Sequence, residues 1–583
     1  MAKITLGLAG AVGHDPAAAV LRGGELIAAV EEERLIRRRH ANGAAPHLAA
    51  RHCLQAAEIR GQDVDRVAIP FAPINLFNKA RWHYAYRHWY APDRAIDSVL
   101  NGNRRYRRYR CELNHFLEKL HISPERVEII PVQHQHAHAA SAVFINEREG
   151  KTPVFCIDSK GEYSTLFFGY SEAGKLTRIK EFYNPDSLSG MYAALTDYLG
   201  FEILDGEFKV MGIAPFGDPE KYDLSSLARF KGRRFKVNNH LISTVGIRRY
   251  KAKNKGHYFS KKLVELLGPR RVGNLTDDPY VHYAAAIQKL YEDLALQMID
   301  RFLGEHIAES GRLAVAGTGS MNIRLNRRLA SIPGVDELIV TPACSDSGTA
   351  IGAAAFAARR DGEPLAPVKN LFLGPRYTRR QCELAVESHR DRPSAEVLEN
   401  PAERAAQLIA EGQVIGWFQG KMEFGSRALG NRSILADASR EDVVTKINQQ
   451  VKFRETWRPY SASILADDGD RSADFPEFSD EFMCVSTQAG ELFKSRYAPL
   501  VHVDGTVRAQ LVTQGRCPQL HQLLSEFKKI SGHGVVVNTA LNRPGEAMVC
   551  TPEEALAVFM GTDLNHLILG DLLVSKRPEN DDW

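Results

Sequence analysis

The run Val132-Gln-His134-Gln-His136-Ala-His138 sets imidazoles at alternate positions just after the apolar stretch Val127–Val132, where a helix-like segment begins. Residues four apart share one helical face, so His134 and His138 can chelate a single ion while His136 points away. The pattern H-x-x-x-H lacks the Glu of a zinc-protease helix, so peptide hydrolysis is not indicated. Asp158, at the end of the next apolar strand, and Asp346, in the turn Ala343-Cys-Ser-Asp346-Ser-Gly348, are candidates to complete the site. Two His and two Asp suit Fe(II), Mn(II) or Zn(II). A packed or solvated helix start that happens to carry three His is the equally weighted alternative.

Two glycine-bearing segments could hold phosphate. Gly206-Glu-Phe-Lys209-Val-Met-Gly212-Ile-Ala-Pro-Phe-Gly217 joins flexible backbone to a lysine, as anion-holding loops do. Ala316-Gly317-Thr318-Gly319-Ser-Met-Asn322 follows the strand Leu313–Val315 and precedes a helix, where free amides face a ligand. Alone, each is a routine strand-to-helix turn.

The elements that must position these groups repeat. Ile4–Val30 reads as strand, polar turn with Asp15, strand, turn at Gly23-Gly24, strand. Pro153–Phe182 repeats the scheme with Asp158 in the first turn and Ala173-Gly174 in the second. Two such meanders, each leading into helical sequence, predict a duplicated α/β fold of the actin-like or sugar-kinase-like kind; two unrelated hairpins are the alternative. The Pro-, Arg- and Gly-rich stretch 361–401 reads as a connection. After it, Ala402–Glu411 has helical pattern and Val414–Phe418 strand pattern, opening a second α/β domain. Domains are expected at 1–375 and 395–583.

A chain of 583 residues exceeds one core, and 44% hydrophobic with 25% charged residues is ordinary for a globular protein. The longest apolar runs are strand-sized, so no membrane span or membrane partner is expected, and the N-terminus reads as a strand rather than a leader. Eight scattered Cys without a C-x-x-C pair predict neither disulfides nor a zinc knuckle, which suits a reducing cytoplasm.

Taken in order, His14-Asp15, Glu31-Glu-Glu-Arg34, H-x-x-x-H, Asp158-x-x-Gly161-Glu162, G-E-x-K-V-M-G and Asp346-Ser-Gly348 resemble the carbamoyltransferase family of antibiotic-tailoring and nodulation-factor enzymes. The tail adds Gly416-Trp-Phe-Gln-Gly-Lys-Met-Glu423-Phe-Gly-Ser-Arg427-Ala-Leu-Gly430-Asn-Arg432-Ser433, Val451-Lys452-Phe-Arg454-Glu455-Thr-Trp-Arg458-Pro459 and Asn538-Thr-Ala-Leu-Asn542-Arg-Pro-Gly545-Glu546. The resemblance implies an actin-like (duplicated ribonuclease-H-like), Kae1-class N-terminal domain and a YrdC-like α/β C-terminal domain. It implies that the second domain makes carbamoyl-adenylate from carbamoyl phosphate and ATP with Mg. The first then passes carbamoyl to an acceptor hydroxyl at a transition metal, Fe before Mn or Zn. His134, His138, Asp158 and Asp346 match the metal ligands. His14 and Asp15 match the transfer site, Arg427, Lys452, Arg458, Arg508 and Thr539 the adenylating pocket, and Lys209, Gly317 and Asn322 N-terminal nucleotide contacts. Fixed cations are what joining two polyanions requires, with Arg forks on phosphate oxygens and Lys452 as a point charge.

The chain departs from the family pattern at Ser159-Lys160 after Asp158, at Thr318 after Gly317 and at Ala540 after Thr539. None removes a presumed metal ligand. Arg81-Trp82-His83-Tyr84-Ala-Tyr86-Arg87-His88-Trp89-Tyr90, Arg104–Arg110 and the basic run 229–262 alternate rings with cations, as nucleic-acid surfaces do. Solvated helices or a sugar-binding wall are the alternatives. The acceptor is therefore a sugar or natural product, or a hydroxymethylated base in DNA. A non-catalytic nucleotide- or metal-binding protein and a threonylcarbamoyl-type tRNA enzyme are the competing readings, and a homodimer is left open.

Overall fold

A computed structural model of the chain describes residues 2–10, 13–144, 148–242, 257–455, 457–466 and 480–576. The basic run 248–255 lies outside them. The chain forms two compact units: Met1–Leu26, Ala45–His47 and Glu58–Pro367 make the first, and Ile27–Ala44, Leu48–Ala57 and Val368–Trp583 the second.

Residues 4–340 hold two five-stranded sheets of one design. In one, β1 (Ile4–Leu8), β2 (Ala17–Arg22) and β3 (Glu25–Glu31) are followed by β4 (Arg66–Ile69) and β5 (Glu128–Pro131), in the order β3-β2-β1-β4-β5. β1 runs antiparallel to β2 and parallel to β4, which is parallel to β5. In the other, β6 (Thr152–Ile157), β7 (Ser164–Glu172) and β8 (Lys175–Tyr183) are antiparallel neighbours. The chain then makes a separate hairpin of β9 (Ala228–Lys231) and β10 (Arg234–Val237). It returns as β11 (Arg312–Ala316), parallel to β6, and β12 (Glu337–Val340), parallel to β11. The order β8-β7-β6-β11-β12 repeats that of the first sheet, so this is the duplicated ribonuclease-H-like, actin-like fold that the two meanders predict. Both two-residue turns hold φ positive at each position (Gly23 +57°, Gly24 +82°; Ala173 +48°, Gly174 +72°), the backbone that matches strand twist.

Two helices carry the site and touch at backbone distance. A Cβ on Gly352 of the helix Thr349–Arg360 would lie 1.8 Å from the carbonyl oxygen of Ala137, in the helix His134–Val143. On its other side, a Cβ on Gly7 of β1 would lie 2.0 Å from the Ala350 carbonyl oxygen. Between Ala350 and Ala358 the helix Thr349–Arg360 is Ala and Gly apart from buried Ile351 and half-buried Phe356, which lets it pass closely between sheet and histidine helix.

The second unit is α/β around a nine-stranded mixed sheet. Its strands are β13 (Ser394–Val397), β14 (Ile415–Phe418), β15 (Arg432–Asp437), β16 (Ser461–Leu465), β17 (Ser486–Gln488), β18 (Thr506–Val512), β19 (Val535–Ala540), β20 (His566–Leu569) and β21 (Leu572–Ser575). They lie in the order β13-β21-β20-β14-β15-β19-β16-β18-β17. Alternate residues of a strand face opposite sides. Phe418 joins the core with Val443, Ile447 and Phe559, and Trp417 the other core with Leu408, Leu520 and Phe527.

Two expectations change. The stretch 361–401 is more than a connection, since it contains a helix (Arg379–Ser388) started by a reciprocal cap between Thr378 and Gln381, and the edge strand β13. Gly206–Gly217 is not a flexible loop but a helix (Gly206–Ile213) and a tight turn (Ala214–Phe216), in which Gly206 and Gly217 are closely packed. A Cβ on Gly206 would strike Phe201 and Thr196, and one on Gly217 the Val281 carbonyl. Among the described residues no helix is long and apolar enough to cross a membrane, and all eight Cys are free thiols.

Candidate metal centre and a basic pocket

In the first unit His134, His138, Asp158 and Asp346 converge. One ligand atom from each lies within 4.8 Å of all the others, and all four residues are buried. His134 Nε2 stands 3.4 Å from Asp158 Oδ2 and 3.5 Å from Asp346 Oδ1, and His138 Nε2 is 3.5 Å from the same Asp346 oxygen. His134 Nδ1 faces the Pro70 carbonyl at 3.3 Å, which turns Nε2 toward the cluster. His134 Nε2, His138 Nε2 and both Asp158 oxygens are buried without a hydrogen-bond partner, as is Asp346 Oδ2. Orphaned polar atoms of this kind are costly unless a cation binds them, and imidazole with carboxylate suits a divalent transition metal. The residues fit the group that the resemblance implies.

Burial opposes charge on His134, but the Asp346 and Asp158 carboxylates outweigh it and hold the ring well above its ordinary range. Burial likewise works to raise the Asp346 carboxyl, and His14, His134 and His138 hold it well below. His14 joins this network through Nε2, 3.6 Å from Asp346 Oδ2, while its Nδ1 is 3.2 Å from Asp15 Oδ2. His136 turns away from the cluster, against Phe167 at 5.1 Å between ring centroids.

The histidine helix is seated by the Asp-x-x-Gly-Glu segment. Glu162 accepts from the His134 amide at 3.2 Å and from the Ala72 amide at 2.7 Å. A Cβ on Gly161 would come within 2.7 Å of His134 Cβ, so only glycine allows this approach. Ser187 donates to the carbonyls of Asp158 (3.2 Å) and Ser159 (3.0 Å), which fixes the end of β6. Thr318, one of the departures, donates to Asp346 Oδ1 at 3.4 Å.

The three presumed N-terminal nucleotide residues do not join the cluster. Lys209 lies over the Phe201 ring at 5.4 Å. Gly317 (φ +89°) passes against the backbone of Ile157. Asn322 caps the helix Ile323–Ala330 through the Leu325 amide (3.0 Å) and pairs reciprocally with the Gln288 amide.

In the second unit Arg427, Arg454 and Arg458 act electrostatically on Arg508, and Arg454 and Arg458 on Lys452, so the five form a basic cluster. Arg508 Nε donates to Ser461 Oγ at 2.6 Å. Burial, then Arg427, Arg454 and Arg458, push its charged form far down. Lys452 ends a π-helical turn (Ile447–Lys452), after which exposed Phe453 (φ +45°) reverses the chain and turns Arg454 onto the Tyr460 ring at 4.8 Å. Lys452 Nζ donates to Ala540 O (2.5 Å), Asn542 O (2.9 Å) and Asn542 Oδ1 (2.6 Å), binding it to the loop after Thr539. Burial, Arg454 and Arg458 lower its proton affinity. Arg458 meets Glu455 at 3.3 Å. Thr539 is half-buried on β19, opposite Ile434.

The loop bearing Arg427 is wound around Glu423, whose Oε1 accepts from the amides of Leu429, Asn431 and Arg432 at 2.7–3.0 Å. Glu31 accepts from the Gly425 amide (2.6 Å) and Arg34 donates to the Gly425 carbonyl (2.8 Å), so the Glu-Glu-Glu-Arg motif braces this loop. Arg432 is wholly buried, stacked 3.6 Å from the Phe418 ring centroid and spent on backbone carbonyls. Sequence reasoning missed the supporting roles of Glu162, Ser187 and Thr318, and Arg454 and Asp480 in the basic cluster. Arg454 stands inside a quoted motif. Asp480 carries no local signal; burial raises it to about 6 against the amides of Phe482, Val485 and Cys484 and, more weakly, Arg427.

Residues 4–355 match the family profile described as Carbamoyltransferase N-terminus and residues 406–576 that described as Carbamoyltransferase C-terminus. The chain is 31% identical to an uncharacterized protein of Synechocystis sp., sll1178, over 97% of this chain and 96% of the other. It is 29% identical to the nodulation protein NolNO of Sinorhizobium fredii, over 98% and 80%. It is 30% identical to the 3'-hydroxymethylcephem-O-carbamoyltransferase of Streptomyces clavuligerus, over 46% and 49%.

Proposed function

Because this chain belongs to the carbamoyltransferase family and is thus a transferase, we propose that it is an ATP-dependent O-carbamoyltransferase working in two steps. In the second unit, carbamate is released from carbamoyl phosphate with uptake of water and loss of phosphate. Its oxygen attacks the α-phosphorus of ATP, the bond to pyrophosphate breaks, and carbamoyl-adenylate forms. Arg427, Arg454, Arg458 and Arg508 neutralise the phosphates, and Lys452 holds the 540–542 loop, with Thr539 beside it, against the nucleotide. In the first unit the acceptor oxygen attacks the carbamoyl carbon and AMP leaves. His14, oriented by Asp15 on Nδ1, takes the acceptor proton on Nε2. A metal held by His134, His138, Asp158 and Asp346 would supply Lewis-acid polarisation of the carbamoyl carbonyl.

The reading is supported by the basic cluster, where Arg508 is held on Ser461 Oγ, Lys452 on the 540–542 loop and Arg454 over the Tyr460 ring, with burial and the neighbouring guanidinium groups opposing charge on Arg508. Such mutual repulsion suits a site kept for polyanions. The test is AMP and pyrophosphate release that depends on carbamoyl phosphate. Lys452→Ala or Arg458→Ala should abolish it in a folded protein, and normal release from both removes the assignment.

The acceptor in this reading is a hydroxyl of a sugar or natural product. A hydroxymethylated base in DNA is the second reading, favoured by Trp82 and Trp89, which are largely exposed, and by exposed Arg104, Arg107 and Arg108. Replacing Arg104, Arg105, Arg107 and Arg108 together by Ala should then flatten the salt dependence of DNA binding. No DNA binding at moderate salt, with carbamoylation of a free sugar, leaves the small-molecule acceptor.

A further inference from the structure

The hairpin β9–β10 is amphipathic in an unusual sense. Phe235 and Val237 are buried, whereas the residues that alternate with them on the paired strands are Arg229, Lys231, Arg234 and Lys236. The register sets Lys236 directly opposite Arg229 and Arg234 directly opposite Lys231. Like charges directly opposed across two strands destabilise the pair. Among the described residues none of the four is paired with a carboxylate.

Arg229 and Lys236 line a cavity of about 540 Å³ whose other wall is Tyr86, Trp89 and Tyr90. Trp89 is 75% and Tyr86 69% exposed, large rings left facing solvent. Among the described residues no Asp or Glu lines the cavity, and Ser225, Ser226, Asn238 and Asn239 supply neutral hydrogen-bonding groups. Arg87, also in the wall, is engaged with Asp186 (2.8 Å) and the Val237 carbonyl (2.7 Å), which ties helix to hairpin. The volume suits a small molecule, the rings offer a stacking face, and among the described residues the opposed cations have no carboxylate partner.

We propose that this cavity binds a phosphate ester of a ring compound, the ring against Tyr86 and Trp89 and the phosphate between Arg229 and Lys236. The site shares no residue with the metal centre or the basic cluster, and the inference does not rest on the transfer reaction. The ester has two sources, a small metabolite such as a sugar phosphate or nucleotide, or a nucleotide unit of a single strand. The full-length protein is titrated calorimetrically with AMP, glucose 6-phosphate and a single-stranded oligonucleotide, with adenosine and glucose as neutral controls. At least one ester should bind, at least tenfold tighter than its neutral counterpart where one was measured. Arg229→Ala/Lys236→Ala and, separately, Trp89→Ala should each weaken it at least tenfold. An oligonucleotide that outbinds both small esters, with a steep salt dependence, assigns the strand, and the reverse assigns the metabolite. Arg229→Gln should leave the melting temperature of the free protein unchanged or raised, since it removes a repulsion; a merely structural arginine would lower it. Failure of all three esters to bind at millimolar concentration overturns the proposal, as does binding that the double variant leaves intact.

Discussion

Gly352→Ala tests whether helix contact sets the geometry of the candidate metal centre. The added Cβ would sit 1.8 Å from the Ala137 carbonyl oxygen, 2.8 Å from its carbon and 2.9 Å from the Ser141 nitrogen, all backbone. No side chain can rotate away, so the helices must part until the contact reaches 3.4 Å or more, where ordinary packing begins. His134 and His138 belong to one of these helices and Asp346 directly precedes the other. Metal–ligand bonds tolerate only about ±0.2 Å, so a separation several times larger should disperse the donor set. Overpacking should also destabilise by about 1–3 kcal/mol, or more where backbone must move. Metal content after dialysis, by elemental analysis beside thermal melts, should show loss of bound metal in a protein that still melts cooperatively. Gly515→Ala, where a Cβ meets nothing within 4 Å, is the control that should retain it. Stoichiometric metal in Gly352→Ala with an unchanged melting temperature refutes the reasoning.

Other outcomes follow from the same geometry. His134→Ala and His138→Ala should each lose metal while His136→Ala retains it; metal lost on removing His136 with His138 dispensable would contradict the shared helical face. Glu31, pushed up by burial from 4.5 to about 7 with Arg34 only partly offsetting it, keeps its proton in the folded state over a range where the unfolded chain has lost it. Its contribution to stability therefore falls as pH rises from about 4.5 through 7. Glu31→Gln, which keeps an acceptor for the Gly425 amide, should gain on the wild type across that window by up to about 3 kcal/mol, and a constant difference in denaturation midpoints from pH 5 to pH 8 would count against it.

What the sequence made legible was local. The meanders announce themselves through alternating strands and turn residues, and i, i+4 spacing alone puts His134 and His138 on one face. What it concealed was made by distant contact. Glycines at 206 and 217 look like a loop because sequence does not reveal that Phe201 and Val281 crowd them. The Thr378-x-x-Gln381 cap was readable as a helix start, but the surrounding Pro, Arg and Gly obscured it. Glu162 stands in the Asp158-x-x-Gly161-Glu162 motif with no sign of its role, and its two amide partners emerge only when residues 28 and 90 positions apart meet.

The second unit draws residues 27–44 and 48–57 from near the start of the chain and the rest from beyond 368. During synthesis those early segments leave the ribosome long before the rest of the unit exists, so this unit cannot finish folding until the chain is nearly whole. No single cut in the gene separates the two units intact. A fragment beginning at 368 would lack Glu31 and Arg34, the brace on Gly425, and with it the support of the loop that carries Arg427. The two halves of the protein are inherited together because one is threaded through the other's sequence.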